Sequence, residues 1–385
     1  MLLMDDSTTA EETRNRKRTR LMTSSAGDVV DRISGLDDDV LLHVLELLGD
    51  ARDAVRTSAL SRRWLGLWKC VPALSFISRS VWEATNVEER AALTRYVSSV
   101  NDALALRTQS GCAIERLAMS YTTHSPHPDD PYHDDMPPAS VDAFRNGVGG
   151  IRDPDGERYL ERLMPASVDA IQGWIWYAFQ HGVKSFSVNM RLPYFWTYFI
   201  YGADAMTSLT GVRNGHDEYE PVVFLDVLPA SPVRLEAMRL ALGGARLRLP
   251  TAMEFTSLAD LSLEWIRMEA GSVHLLARLL SSASCPRLQK LRMRKLCLDA
   301  FDEEMLLEAD MLSELRIQDV KFLSLKLRTS NLKVFHLLQP WHQPLTISAP
   351  SLEELEVSCP RGFPPRWLDV DGDLPCVRSL KICMR

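Results

Sequence analysis

Residues Asp31 to Phe76 read DRISGLDDDVLLHVLELLGDARDAVRTSALSRRWLGLWKCVPALSF. Asp37, Asp38 and Asp39 suit the cap and first turn of a helix, where carboxylates face unpaired N–H groups at its positive end. Val40, Leu41, Val44, Leu45 and Leu48 then recur at helical spacing. Gly49 stands where a left-handed residue ends a helix. Leu42 and Leu47 add a second apolar face. A short helix in so small a unit cannot bury two faces within itself, so it needs a partner surface. The second feature is the turn Ser61-Arg62-Arg63-Trp64, which leads to another aromatic, Trp68.

Asp31, Arg32, Ile33, Ser34, Leu36, Val40, Leu41, Val44, Leu45 and Leu48 stand in a characteristic order. Thr57, Ser58, Leu60, Ser61, Arg63, Trp64, Leu67 and Trp68 continue it. This order resembles the F-box of plant F-box/leucine-rich-repeat proteins. The resemblance implies a helical module that docks an Skp-type adaptor and, through it, a cullin. It implies adaptor contacts at Leu36, Val40, Leu41, Val44, Leu45, Leu48, Leu60 and Trp64. The family usually has Pro after the first Leu, where this chain has Asp37. Pro pre-sets a helix start and Asp caps it less rigidly, which bears on adaptor affinity and not on the fold.

A chain of 385 residues has room for one large domain and a small one. Its net charge of −7 argues against a general nucleic-acid binder. The cysteines number seven, an odd count, and are never spaced C-x-x-C. That suits a reducing compartment and free thiols, neither a disulfide frame nor a zinc site. The start, Met1-Leu2-Leu3-Met4-Asp5-Asp6, lacks the apolar core of a signal peptide. The uncharged aromatic run Leu192 to Ala203 contains Pro193 and is too short to span a bilayer. The expectation is a nuclear or cytoplasmic protein, or both, with no membrane contact and no direct nucleic-acid contact. Residues 1–30 are polar and without period, and read as a disordered tail. Its basic run Arg14 to Arg20 reads either as a nuclear import signal or as a solvated charged tail.

Within 77–112, Val87 to Leu106 reads as a linking helix with Leu93, Tyr96, Val97, Val100 and Leu104 as its apolar stripe. Residues 113–385 carry a recurring L-x-x-L-x-L pattern. Its copies are Ile114/Leu117/Met119, Val183/Phe186/Val188, Leu235/Met238/Leu240 and Leu258/Leu261/Leu263. Next come Leu288/Leu291/Met293, Leu312/Leu315/Ile317, Leu332/Phe335/Leu337, Leu352/Leu355/Val357 and Val377/Leu380/Ile382. The later copies start roughly 20 to 30 residues apart, the leucine-rich-repeat period. The usual repeat has Asn or Cys three residues after the third apolar position. Here Ile266, Leu296, Val320 or Pro340 stands there, so apolar packing, helped by Met268, Leu298 and Phe322, must replace the Asn ladder. The fold expected is α/β: an N-terminal helical F-box over 31–76, then an irregular, horseshoe-like leucine-rich-repeat solenoid of short parallel strands.

A looped insertion is expected near 121–165, a stretch rich in His, Asp, Pro and Gly. It holds a duplication, because Pro138 to Ala143 recurs as Pro165 to Ala170. The second copy leads into Ile171, Trp174, Ile175 and Ala178, which read as a helix. His124, His127 and His133 lie there among acidic residues, but nothing fixes their spacing, and a solvated loop is expected in place of a metal site. The chain shows neither a Gly-rich phosphate loop nor a G-x-S-x-G elbow, so no catalytic residue and no cofactor is assigned.

The outward positions of the repeat strands should line the concave face of the solenoid. They include Arg239, Asp260, Ser262, Glu264, Lys290, Arg292, Arg294, Glu314, Arg316, Gln318, His336, Glu354 and Glu356. Parallel neighbours about 5 Å apart would gather Lys290, Arg292, Arg294 and Arg316 into one basic cluster. Such a cluster suits an acidic or phosphorylated target segment; an ordinary solvated face of mixed charge is the other reading. The family resemblance implies the substrate-recognition subunit of an SCF-type ubiquitin ligase, with no bond chemistry of its own. The alternatives are a non-ligase repeat scaffold, or a co-receptor holding a small molecule in its repeats.

Overall fold

The computed structural model describes residues 33, 35–79, 86–122, 154–191, 222–225, 233–269, 271–298, 303–320, 322–338, 343–359, 368–370 and 375–384. The N-terminal tail, the histidine-rich stretch, the first duplicate copy and the run 192–203 lie outside them.

Helix α1 spans Asp38–Leu47, with Asp37 extended in the N-cap place. The Asp37 carboxylate accepts no capping bond. Arg63 holds this end instead: its Nε lies 2.8 Å from Asp38 Oδ1, and its Nη2 donates to the Leu36 carbonyl. The basic turn noted in the sequence thus clamps the helix start that a Pro would otherwise pre-set. Gly49, at φ 73°, ends the helix in the left-handed region that an L side chain resists. Asp50 then caps α2 (Ala51–Arg56), accepting the Arg52 N–H at 2.9 Å. A 3-10 turn, α3 (Trp64–Leu67) and a second 3-10 turn follow. Leu41, Leu45, Ala54, Trp64, Leu67 and Trp68 close a small core.

The chain then runs straight into a sheet. β1 (Ala73–Arg79) pairs in parallel with β2 (Arg116–Thr122), across α4 (Asn86–Ser110). The F-box boundary read at Phe76 therefore falls inside the first strand. In α4, Leu93, Tyr96, Val100 and Leu104 are buried, with Val97 packed at the edge of the core. The Tyr96 hydroxyl donates to the Phe76 carbonyl at 2.9 Å, and burial pushes its pKa well up. Arg107 is only 1% exposed. Its guanidinium donates to the carbonyls of Val71 at 2.6 Å, Ala113 at 2.8 Å and Trp68 at 3.4 Å. The F-box core and the first repeat are thus one continuous body.

α5 (Pro154–Gln180) leads to β3 (Ser185–Arg191). Its Ile171, Trp174, Ile175 and Ala178 are buried, and the Trp174 indole donates to Asn101 of α4 at 2.8 Å. The second duplicate copy lies within this helix. Since β2 runs to Thr122 and α5 starts at Pro154, the expected insertion shrinks to 123–153, outside the described residues. The remaining strands of the long sheet are β4 (Val222–Phe224), β5 (Ala237–Ala241), β6 (Arg246–Arg248), β7 (Asp260–Met268), β8 (Lys290–Leu298), β10 (Glu314–Gln318), β12 (Val334–Leu337), β14 (Glu354–Cys359) and β16 (Ser379–Met384). Every recorded pair in it is parallel, in the order β1-β2-β3-β5-β7-β8-β10-β12-β14-β16, with β4 and β6 alongside.

A second sheet adds what the sequence reading did not foresee. β9 (Glu304–Glu308), β11 (Ser324–Arg328), β13 (Leu345–Ser348) and β15 (Leu368–Val370) also pair in parallel. Met305, Leu307, Leu325, Leu327, Leu345 and Ile347 bury its inner face. One repeat earlier, the helix α6 (Ser272–Leu279) packs by Val273, Leu276 and Leu279. The Glu303 carboxylate caps α6, accepting the N–H of Gly271 and, at 3.2 Å, that of Val273.

All the apolar positions of the first eight repeat copies are buried. In the ninth, Leu380 is 60% exposed, because β16 stands at the end of the sheet order. The missing Asn ladder has a backbone explanation. Trp265, Lys295 and Asp319 take positive φ values of 55°, 52° and 54° in consecutive repeats. Each shifts the in–out alternation by one residue, in step on β7 and β8, whose register stays one-to-one, and so turns Ile266, Leu296 and Val320 into the core. A left-handed L-residue costs roughly 1–2 kcal/mol. The Lys295 ammonium, 4.3 Å from the Trp265 ring centre, helps hold two of these positions together.

Candidate functional site

Two surfaces stand out, one on the N-terminal helix and one across the repeat strands. The first is on α1. Positions 40, 44, 47 and 48 share a helix face. There Val40, Val44, Leu47 and Leu48 are exposed, Val44 by 41% and Leu47 by 73%. Ile33 and Leu36 are exposed just before the helix, and Leu60 and Leu65 on the turn and helix beside it. Leu41, Leu45 and Trp64 face the other way and are buried. Of the eight adaptor candidates, Leu36, Val40, Val44, Leu48 and Leu60 are on the surface. Leu41, Leu45 and Trp64 hold the module's own core, so no partner reaches them without opening it. Ile33, Leu47 and Leu65 belong with the exposed set. For Leu47 the signal was its i+7 spacing from Val40, on the face that also carries Val44.

The second surface is the outer face of the long sheet. Register stacks Arg239, Ser262, Arg292, Arg316, His336, Glu356 and Lys381 across consecutive strands. Beside that row run Asp260, Lys290, Glu314, Val334 and Glu354. The structure brings Lys290, Arg292, Arg294 and Arg316 onto two adjacent strands. Arg292 faces Arg316, Arg294 faces Gln318, and Lys290 faces Glu314.

The cluster is not purely basic. Glu314 lies 2.7 Å from Arg316 Nε and 3.5 Å from Arg292 Nη2, so one carboxylate orients both arginines. Both arginine side chains remain nearly half exposed. Exposed pairs of this kind contribute at most about 1 kcal/mol, so a ligand carboxylate or phosphate can exchange for them. A similar contact sits two strands away, where the buried Glu264 accepts from Arg239 at 2.8 Å and Ser262 Oγ at 3.1 Å. Further along, His336 Nε2 lies 3.0 Å from Glu354, and Lys381 Nζ 2.9 Å from Glu356.

The free thiols among the described residues are spread through the fold. Cys285 is a core residue, and burial pushes its thiol up to about 12. Among the described residues, no helix is long and apolar enough to cross a membrane.

The chain is similar to plant proteins of Arabidopsis thaliana. An F-box/LRR-repeat protein is 36% identical over 94 residues, covering 24% of this chain and 23% of that protein. An F-box/FBD/LRR-repeat protein is 47% identical over 58 residues, 15% of this chain and 13% of its own length. A second F-box/LRR-repeat protein is 35% identical over 105 residues, 26% of this chain and 20% of its length. The matches thus span less than a quarter of these curated relatives. No protein-family model matches the chain, and no solved structure gives a significant match.

Proposed function

We propose that this chain, a plant-type F-box/leucine-rich-repeat protein, is the substrate-recognition subunit of an SCF-type ubiquitin ligase. The observation that supports this most is the apolar face of α1. Val40, Val44, Leu47 and Leu48 lie exposed on a helix whose opposite side, Leu41 and Leu45, already closes a core. Such a face is unsatisfied in water, and burying it against an Skp-type adaptor supplies the missing partner. The cullin joins through the adaptor. The outer face of the long sheet holds the target, with Lys290, Arg292, Arg294 and Arg316 meeting an acidic or phosphorylated segment.

In this reading the chain performs no bond chemistry. It positions target lysines near the charged ubiquitin carrier, which is a proximity effect. The continuity of F-box and repeats through Arg107 matters here, because a rigid link fixes the distance between adaptor and target. The test is affinity purification of the tagged full chain, followed by mass spectrometry. Adaptor, cullin and an enriched third protein are expected together. A repeat partner recovered with neither adaptor nor cullin would favour a non-ligase scaffold instead.

A further inference from the structure

We infer that His336, Glu354 and Glu356 form a divalent-cation site, suited to zinc, on the outer face of the long sheet. The inference does not depend on the ubiquitin-ligase reading. The three side chains come from β12 and β14, which pair with His336 opposite Glu356. One nitrogen and two carboxylate oxygens of the three lie within 4.8 Å of one another. His336 Nε2 and Glu354 Oε1 are already 3.0 Å apart. Donor atoms around tetrahedral zinc stand roughly 3.3 Å apart, given metal–ligand distances of about 2.0–2.2 Å. Rotation of the two long Glu side chains closes the remaining gap.

The scaffold is rigid where it needs to be. Phe335, Leu337, Leu355 and Val357 alternate with the three ligands and are buried. The His336 and Glu356 side chains are 12% and 16% exposed, which lowers the local dielectric and strengthens ligation. One imidazole and two carboxylates make a donor set that zinc accepts, and three protein ligands leave an open position. A water, or a side chain of a bound protein, would complete it. Lys381 competes, with its Nζ 2.9 Å from Glu356 Oε1. A cation entering the site displaces that contact, so the lysine tunes affinity downward.

The test titrates zinc into the metal-stripped full chain by calorimetry, with cobalt absorption as a second readout of coordination. The parent should bind zinc well below about 100 µM, with cobalt bands of a nitrogen-and-oxygen site. His336→Ala and Glu356→Gln should each lose one bound equivalent, or weaken it at least about tenfold, with unchanged circular dichroism. Lys381→Met should tighten binding, because it removes the competing ammonium beside Glu356. The inference is overturned if the parent binds no zinc at about 100 µM. It is equally overturned if His336→Ala keeps the parent's stoichiometry and affinity, or if Lys381→Met fails to tighten binding.

Discussion

Replacing Arg107 with Met keeps most of the side-chain volume and removes the charged donor. Arg107 is 1% exposed and bridges three carbonyls from two parts of the chain. The bonds to Val71 and Ala113, at 2.6 and 2.8 Å, are short; the one to Trp68, at 3.4 Å, contributes little. The variant leaves the buried Val71 carbonyl without this donor, at about 1–3 kcal/mol, whereas water can replace the bond at the exposed Ala113 at little cost. Relief of the guanidinium's own desolvation, which pulls its pKa below the ordinary value, offsets part of this. The net loss should be about 1–3 kcal/mol of unfolding free energy. Urea unfolding measures that loss, and hydrogen exchange locates it. Exchange should accelerate around Lys69–Val71 and Cys112–Arg116, where Arg107 joins the F-box to the first repeat. Arg107→Lys should fall between the two, since one ammonium cannot span both carbonyls equally. A Met variant within about 0.5 kcal/mol of the parent, a change no larger than an ordinary surface substitution makes, with exchange unchanged at those segments, would refute this account of the junction.

Leu41→Ala should lower stability by about 2–5 kcal/mol, because it opens a cavity in a closed core, whereas Val44→Asp should leave stability nearly unchanged and abolish adaptor binding; thermal unfolding and a pull-down separate the two. Arg292→Glu with Arg316→Glu should remove an acidic target yet preserve adaptor binding. Raising salt should weaken the parent's target complex, since exposed charges are screened within about 10 Å; a target indifferent to both changes binds elsewhere. The Glu115 and Glu304 carboxyls are held below the ordinary carboxylate range by Lys184 and Lys326. Their contribution is therefore present above the unfolded pKa, about 4.3, and lost as pH falls through the lower folded value. Lys184→Met with Lys326→Met should thus be slightly less stable than the parent at neutral pH, and the difference should shrink as pH falls below the ordinary carboxylate range.

Much of the solenoid was legible in the sequence because its inward residues repeat at a fixed offset. Leu312, Leu315 and Ile317 need no structure to be read as one strand's buried face. Three features escaped for physical reasons. The left-handed residues Trp265, Lys295 and Asp319 are not glycines, so their identity does not announce the shift in alternation. The second sheet rests on short stretches such as Met305–Leu307 and Leu345–Ile347, whose alternation is too brief to separate from a loop. On α1, Val40 and Leu41 are both apolar, and spacing alone cannot say which side meets the core. That choice is made by Trp64, which packs in the same core as Leu41 and Leu45. At the basic cluster, Glu314 was visible as an outward residue, but its place between Arg292 and Arg316 required strand register.

The central claim is that the exposed face of α1 docks an Skp-type adaptor. Its most direct test is isothermal titration of purified adaptor into the purified full chain, alongside Val44→Asp and the Arg292/Arg316 double reversal. The account requires one-to-one binding by the parent, the same affinity for the double reversal, and no detectable binding by the folded Val44→Asp variant. A folded parent that binds no Skp-type adaptor, or a Val44→Asp variant that binds as tightly as the parent, would contradict it.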